Sequence, residues 1–483
     1  YMKQKTYNHI SVFSMILNYT IGTGILNLPH VLASASIGSG LILMFICIIV
    51  TYLTAQYTLD LLCRTYALQQ LKTKENAEEQ PLVDIKEETE NINQKFILPN
   101  DYSYQHSSLC LIYFGKIGFY SYQISICLYF FCTVWAYGQV VSSSLTSIVP
   151  FTFLPHFKDN KWSCSDPCTD YSQACVDGYW IWLSLTTVFC VIVVFYNFVE
   201  QKYLQMVFTA LRFLALFTVC VMVLWSLGSI PFLDKNEYNG SFINPHLKYF
   251  EFNPPKIGGM FSSVTFALLS HPGLPSVFQP TDPKSQPKLN KVILLAFAIL
   301  AVVTLLMTLP GALYFGNDGT QLVTLNFNNW DGKSFHALSQ PGWAAFLSYL
   351  VRVLPPLYVL SAIPINVLVM QYNIMELFPQ HLKTNKWLNI ALKVVCTLAP
   401  LLTGAFSRCL GLIIQVSGLM GFVLLELTCL MLLKAQTECK LQIENYRGFE
   451  QWFSNKIVVV GVAVVIFVGT VFAIWSIVDE TIN

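Results

Sequence analysis

NYTIGTGILNLPH, from Asn18 to His30, lies inside an apolar run from His9 to Ala35, and FALLSHPGLPS, from Phe266 to Ser276, lies inside another from Ile257 to Phe278. Gly22 and Gly24 remove side chains that favour helix, while Pro272 and Pro275 remove amide donors and bend the chain. Irregular backbone at membrane depth leaves polar groups unpaired, and it is tolerated only where protein or a water-filled cavity surrounds it. For either span alone, close packing at the glycines or a simple proline kink explains the pattern equally well. Two such spans in matching positions favour discontinuous helices.

The positions match because of the span count. Hydrophobic residues make up 54% of the 483 and charged residues 11%, against about 25% charged in an ordinary soluble domain. The solvent of most of this chain is therefore lipid. A net charge of +1 offers no field for nucleic acid, which is excluded as a partner. Apolar runs of about 20 residues give eleven spans: His9 to Ala35, Gly38 to Leu62, Leu109 to Ser147, Trp180 to Phe198, Tyr203 to Leu227, Ile257 to Phe278, Val292 to Phe315, Trp343 to Met370, Trp387 to Ala405, Leu410 to Leu433 and Ile457 to Ile477. The span from Leu109 exceeds one crossing and is expected to tilt or project. No cleavable signal peptide is expected, since the first run continues into the next hairpin.

The interrupted spans are the first members of two successive sets of five, and the odd number in each set makes the second set inverted. Transporters built from inverted repeats place their discontinuous helices there. The expected fold is an all-α polytopic membrane protein with a 5+5 inverted repeat, broken first and sixth helices and one extra helix. Its segments are 1–66, the first two spans; 67–108, an acidic, disordered cytosolic loop; 109–228, spans three to five; 229–256, an external loop; 257–434, spans six to ten; and 435–483, a linker and span eleven.

Lys3, Lys5, Arg64, Lys72, Lys202, Lys284, Lys383, Lys434 and Lys440 fall on one side if the spans alternate, which makes that side, with the N-terminus, cytosolic. The opposite side holds Cys164, Cys168 and Cys175 and the sequon Asn239-Gly240-Ser241, features of an oxidising exterior or lumen. Three cysteines predict one disulfide plus a free or span-paired thiol; the pairing is not readable. The remaining eleven read as small apolar packing residues. Plasma membrane and lysosomal membrane fit this topology equally.

A broken midplane helix exposes amide N–H groups at the start of one half and carbonyls at the end of the other. Amides near Gly22, Thr23, Gly24 and Ile25 are expected to hold a carboxylate, and carbonyls near Phe266 to Leu269 an ammonium, with Ser270 and His271 at the second break. The substrate this implies is an amino acid or close zwitterionic analogue. His271 is read either as a neutral hydrogen-bonding group that stabilises the break or as a group that charges in an acidic lumen.

These motifs resemble the amino acid/auxin permease family of the leucine-transporter fold superfamily. Asn18 followed by GTGIL is similar to its first-span pattern, and FALLSHPGLPSVFQP to its sixth-span motif, one residue shorter here. Lys202 to Gln205, Arg212, Leu274 to Ser276 and Thr324 to Phe327 look most like the transmembrane protein 104 branch. The resemblance implies amino acid transport driven by sodium or protons, with Asn18 at a cation site and a hydroxyl from span eight beside it. At that hydroxyl position this sequence has Leu357, flanked by Tyr358 and Ser361.

Arg212 lies about 15 Å into span five and Glu426 about 12 Å into span ten by the helical rise, so a buried ion pair is geometrically possible. Alternatively, Arg212 supplies the fixed positive charge that sodium supplies in coupled relatives, which favours sodium-independent transport. Arg352 is expected to line the outer pathway or snorkel, and Lys393 to snorkel. No catalytic motif, metal-ligand cluster or phosphate-cradling loop is evident, so neither an enzyme nor a bound cofactor is expected beyond a coupling H+ or Na+. The leading reading is a secondary amino acid transporter. The alternative is a transporter-like sensor with little flux that signals through a cytosolic partner of the 67–108 loop.

Overall fold

The computed structural model describes residues 7–78, 98, 104–149, 164, 166–195, 202–229, 247–332, 339–442 and 449–482. Among these residues the structure is helical apart from a single bridge between Tyr7 and Thr281. The helices are α1 (His9–Thr20), α2 (Leu28–Ala35), α3 (Ile37–Glu78), α4 (His106–Ile148), α5 (Gln173–Val194), α6 (Lys202–Ser229) and α7 (Pro254–Leu268). They continue with α8 (Leu274–Phe278), α9 (Leu289–Phe315), α10 (Gly342–Glu376), α11 (Gln380–Lys383), α12 (Lys386–Thr403), α13 (Leu410–Gln442) and α14 (Lys456–Ile482). Nine of those described, α3 to α6, α9, α10 and α12 to α14, are long and apolar enough to cross a membrane. The protein is an integral multi-pass membrane protein.

The two interrupted runs are the exceptions. α1 starts where Asn8 Oδ1 accepts the Ser11 amide at 2.8 Å, and it stops at Ile21 and Gly22, both extended; a 3-10 turn, Thr23–Leu26, then leads into α2. α7 opens on Pro254 and Pro255 behind an Asn253 cap and stops at Leu269, extended; the turn His271–Gly273 carries Pro272 ahead of α8. Each proline falls in the first turn of its helical piece, where its missing N–H would have had no intrahelical partner.

One long helix runs differently from the sequence reading, and a second is as long as expected. α3 does not end near Leu62 but continues to Glu78, into the segment read as disordered. Leu, Gln, Lys, Glu and Ala there are strong helix formers, and propensity carries the helix past the lipid. α4 has 43 residues, about 64 Å at the helical rise and roughly twice the hydrocarbon thickness. Its backbone turns at Gly115, where φ is +65°, a region that disfavours a side chain.

α7 is the buried centre, with Ile257 to Leu268 all buried and with α2, α3, α13 and α14 packed around it. Small residues permit this approach. A Cβ on Gly258 would lie 1.9 Å from the Phe472 carbonyl oxygen of α14, and one on Gly418 of α13 would lie 2.1 Å from that of Ser262. Helices in lipid lack a hydrophobic drive to associate, so such close backbone packing replaces it.

The ends of the interrupted units are tied together. The Tyr7 amide donates to the Pro280 carbonyl at 2.7 Å and the Asp282 amide to the Tyr7 carbonyl at 2.9 Å. Beside them, Gln279 accepts from the Tyr104 amide and donates to its carbonyl. On the opposite side, Cys164 pairs with Cys175, and Cys168 pairs with Cys409 at the start of α13. The expected leftover thiol is therefore bridged, and ten cysteines, not eleven, remain free. Cys409 lies at a span boundary, where sequence alone does not separate a packing cysteine from a loop partner.

Candidate functional site

The two breaks are in contact. A Cβ on Gly24 would lie 2.7 Å from Phe266 Cδ1 and 3.0 Å from the Ala267 Cα, so only a residue without a side chain lets the turn after α1 lie against the last turn of α7. Gly22 is different: its nearest neighbour is the Tyr137 hydroxyl of α4, at an ordinary 3.7 Å. Thr23, Ile25, Phe266, Leu269, Ser270 and His271 are all buried around this junction. Ser270 Oγ, both polar atoms of the Asn27 amide and the second ring nitrogen of His271 have no hydrogen-bond partner among the described residues. Buried polar groups of this kind ordinarily pair with ordered water or a ligand.

His271 Nε2 lies 2.7 Å from Thr54 Oγ1 of α3. The imidazole therefore links the second break to the surrounding scaffold.

Arg212 of α6 reaches the first break. Its Nη1 donates to the Asn18 carbonyl at 3.1 Å, to Asn18 Oδ1 at 3.2 Å and to the Ile21 carbonyl at 3.0 Å, and its guanidinium sits 5.4 Å above the Tyr358 ring. The Asn18 and Ile21 carbonyls are freed because α1 stops there, and the negative end of a helix dipole favours a cation. Arg212 thus caps α1 through the oxygens of Asn18 and Ile21.

The possible partnership of Arg212 with Glu426 is not formed. α6 packs on α9 and α10, whereas α13, which carries Glu426, packs on α3, α4, α7 and α14. Glu426 Oε2 is buried and has no hydrogen-bond partner among the described residues.

Span eight also requires a correction. Leu357 is 44% exposed on the outside of the bundle, and the inward position belongs to Tyr358, 1% exposed. Adjacent residues on a helix point about 100° apart, so counting off by one changes the face. Ser361 turns its hydroxyl back to the Tyr358 carbonyl at 2.6 Å and adds no ligand to Arg212. Arg352 does not snorkel: it is 2% exposed and donates to the Ser348 and Ser147 carbonyls and to Asn328 Oδ1, tying α10 to the end of α4. Lys393 is half-buried and rests 5.9 Å from the Phe195 ring centre.

Sequence reasoning missed Asn27 and Tyr137. Asn27 was legible as the polar residue closing GTGILN. Tyr137 gave no such signal, because α4 carries several tyrosines at mixed helical positions and only tertiary packing aims this one at Gly22. The disulfide candidates form the bridges described above, and Asn239 lies outside the described residues.

Known proteins resemble this chain in sequence and in fold. The chain is 21% identical over 452 residues to the transmembrane protein 104 homolog of Drosophila melanogaster, covering 86% of this chain and 85% of that one. It is 20% identical over 440 residues to transmembrane protein 104 of Homo sapiens, covering 83% and 82%. Among solved structures, MhsT in complex with L-phenylalanine superposes with a TM-score of 0.55 at 12% identity, over 98% of this chain and all of that one. At that identity the likeness shows the fold alone, and the fold is that of the leucine transporter. The profile described as transmembrane amino acid transporter protein matches residues 5–478, nearly the whole chain. The protein belongs to the transmembrane amino acid transporter family.

Proposed function

We propose that the protein is a secondary transporter of amino acids, or close zwitterionic analogues, working by alternating access. The observation that carries this reading is the junction of two helix breaks, Gly24 against Phe266 and Ala267, inside a bundle of membrane-length helices. With each interrupted unit counted as one crossing, the nine long helices become eleven and divide into two inverted sets of five plus one. The amides of Gly22, Thr23, Gly24 and Ile25 hold the substrate carboxylate, and the carbonyls from Phe266 to Leu269 hold its ammonium. Tyr137, Ser270 and His271 frame the space between. The family membership and the L-phenylalanine bound to the structural neighbour support a substrate of this class.

Coupling follows from Arg212. A guanidinium on the Asn18 and Ile21 oxygens supplies the positive charge that a bound cation would supply, so binding is sodium-independent, with proton coupling or exchange driving transport. The N-terminus is cytosolic, and the site faces the exterior or a lysosomal lumen in its outward state. Counterflow of a radiolabelled amino acid into proteoliposomes tests the reading, with a thermal-shift screen of the amino acids to choose the label, since a bound ligand raises apparent stability. Stabilisation without counterflow would replace the transporter with a sensor.

A further inference from the structure

Remote from the helix breaks, a cavity of about 590 Å³ opens between α3 at Arg64, the end of α13 and the turn Trp452–Ser454 that leads into α14. Its volume lies within the range of roughly 300–1,000 Å³ usual for small-molecule sites. Arg64, Lys440 and Lys456 line it together with Glu450, Trp452 and Asn455. Arg64 is held from behind by Asp60, Nε to Oδ2 at 3.0 Å, and its Nη2 lies 3.4 Å from Glu450 Oε2. Lys456 Nζ donates to Thr437 Oγ1 at 3.0 Å. Among the described residues, neither Lys440 nor Lys456 has a carboxylate within salt-bridge distance. Lys456 begins α14, so the positive end of that helix faces the same space.

The rim is apolar. Trp452 is 82% exposed, and Ile457 and Leu441 are 80% exposed. Ile457 opens the lipid-facing part of α14, and a tryptophan beside it is the usual occupant of the level between headgroups and acyl chains. The cations therefore sit at headgroup depth, Lys440 and Lys456 next in the chain to exposed hydrophobic side chains. A planar guanidinium and two ammonium groups suit a phosphate, and basic pockets between membrane helices on the cytosolic side bind phosphorylated headgroups.

We infer that this cavity binds the phosphorylated headgroup of an anionic lipid of the cytosolic leaflet. The inference shares with the proposed function only the orientation that makes this face cytosolic. Glu450 is the carboxylate a phosphate must displace from Arg64.

The test is a thermal-shift titration of the purified full chain in uncharged detergent with short-chain phosphatidylinositol phosphate. Phosphatidylcholine and soluble inositol phosphate of the same chain length or phosphorylation serve as comparisons. The phosphoinositide is expected to stabilise the protein saturably, and neither comparison to match it. Lys440→Gln with Lys456→Gln, both exposed positions, should raise the apparent Kd at least tenfold, and Glu450→Gln should lower it. Equal stabilisation by phosphatidylcholine, or no loss in the double variant, overturns the site. Equal affinity for the soluble inositol phosphate overturns the lipid as its occupant. The amino acid thermal shift of the double variant, measured alongside, should be unchanged, so failure here is distinguishable from failure of the transporter reading.

Discussion

Arg212 and the glycines of the first break test the site at the scale of single residues. Hydrogen bonds to a charged donor contribute about 1.5–3 kcal/mol each, so Arg212→Ala should weaken substrate binding on the order of tenfold to a hundredfold by releasing the end of α1. Arg212→Lys keeps the charge but not the fork and should retain more activity. Because Glu426 is not the partner, adding Glu426→Ala should restore none of the stability lost in Arg212→Ala, a comparison melting curves can make. Saturable stimulation of transport by sodium would contradict the assignment whatever the variants do. The glycines should separate: Gly22→Val meets only the Tyr137 hydroxyl, so it should abolish binding while the protein still folds. Gly24→Val must push Phe266 and the α7 backbone away, and it should lose both binding and thermal stability.

At the scale of elements, the external segment before α5 is pinned to α13 by Cys168–Cys409, which closes a loop of 241 residues. Constraint of the unfolded chain by such a bridge contributes about 2–4 kcal/mol. Cys409→Ser should lower the melting temperature and leave Cys168 open to maleimide in the non-reduced protein; no new labelling would mean that the two are not paired. Next to Cys168, burial pushes the Asp166 carboxyl above its usual pKa, opposed by the Cys168 amide at 3.0 Å and by Arg408. A pKa raised on folding gives stability that is fully present below the unfolded value and is lost as pH rises through the folded value. Stability should therefore fall across the acidic range from this group, and Asp166→Asn should flatten that part of the pH–melting profile.

At the scale of the molecule, the proposed alternating access would require the interrupted units to move against the long helices, and α7 packs against both α2 and the long helices α3, α13 and α14. The breaks meet each other near Gly24, while their ends are tied at Tyr7, Tyr104 and Gln279 to Asp282. Orientation is the other molecular property at stake. Asn239→Gln should remove a glycan and increase gel mobility, whereas a parent band that resists glycosidase and matches the variant would withdraw one support for the external assignment.

The interruptions at Gly22, Gly24, Pro272 and Pro275 were legible because a polar or helix-breaking residue in an apolar run has few physical explanations, and two in register have fewer. Length and apolarity identified the long spans for the same reason: both are local properties, summed along the chain. Local properties do not say which side chains meet. The choice of Asn18 and Ile21 over Glu426 for Arg212 depends on which helices α6 packs against. Tyr358 faces inward instead of Leu357 through a rotation of one residue, and Cys409 finds Cys168 across 241 positions. Gly24 could be read as a helix breaker from sequence, but its closeness to Phe266 depends on the approach of α7. Where helix is lost, and that lipid surrounds the rest, follow from local residue chemistry; what fills each break follows from packing, because it is set by contacts between residues far apart in the chain.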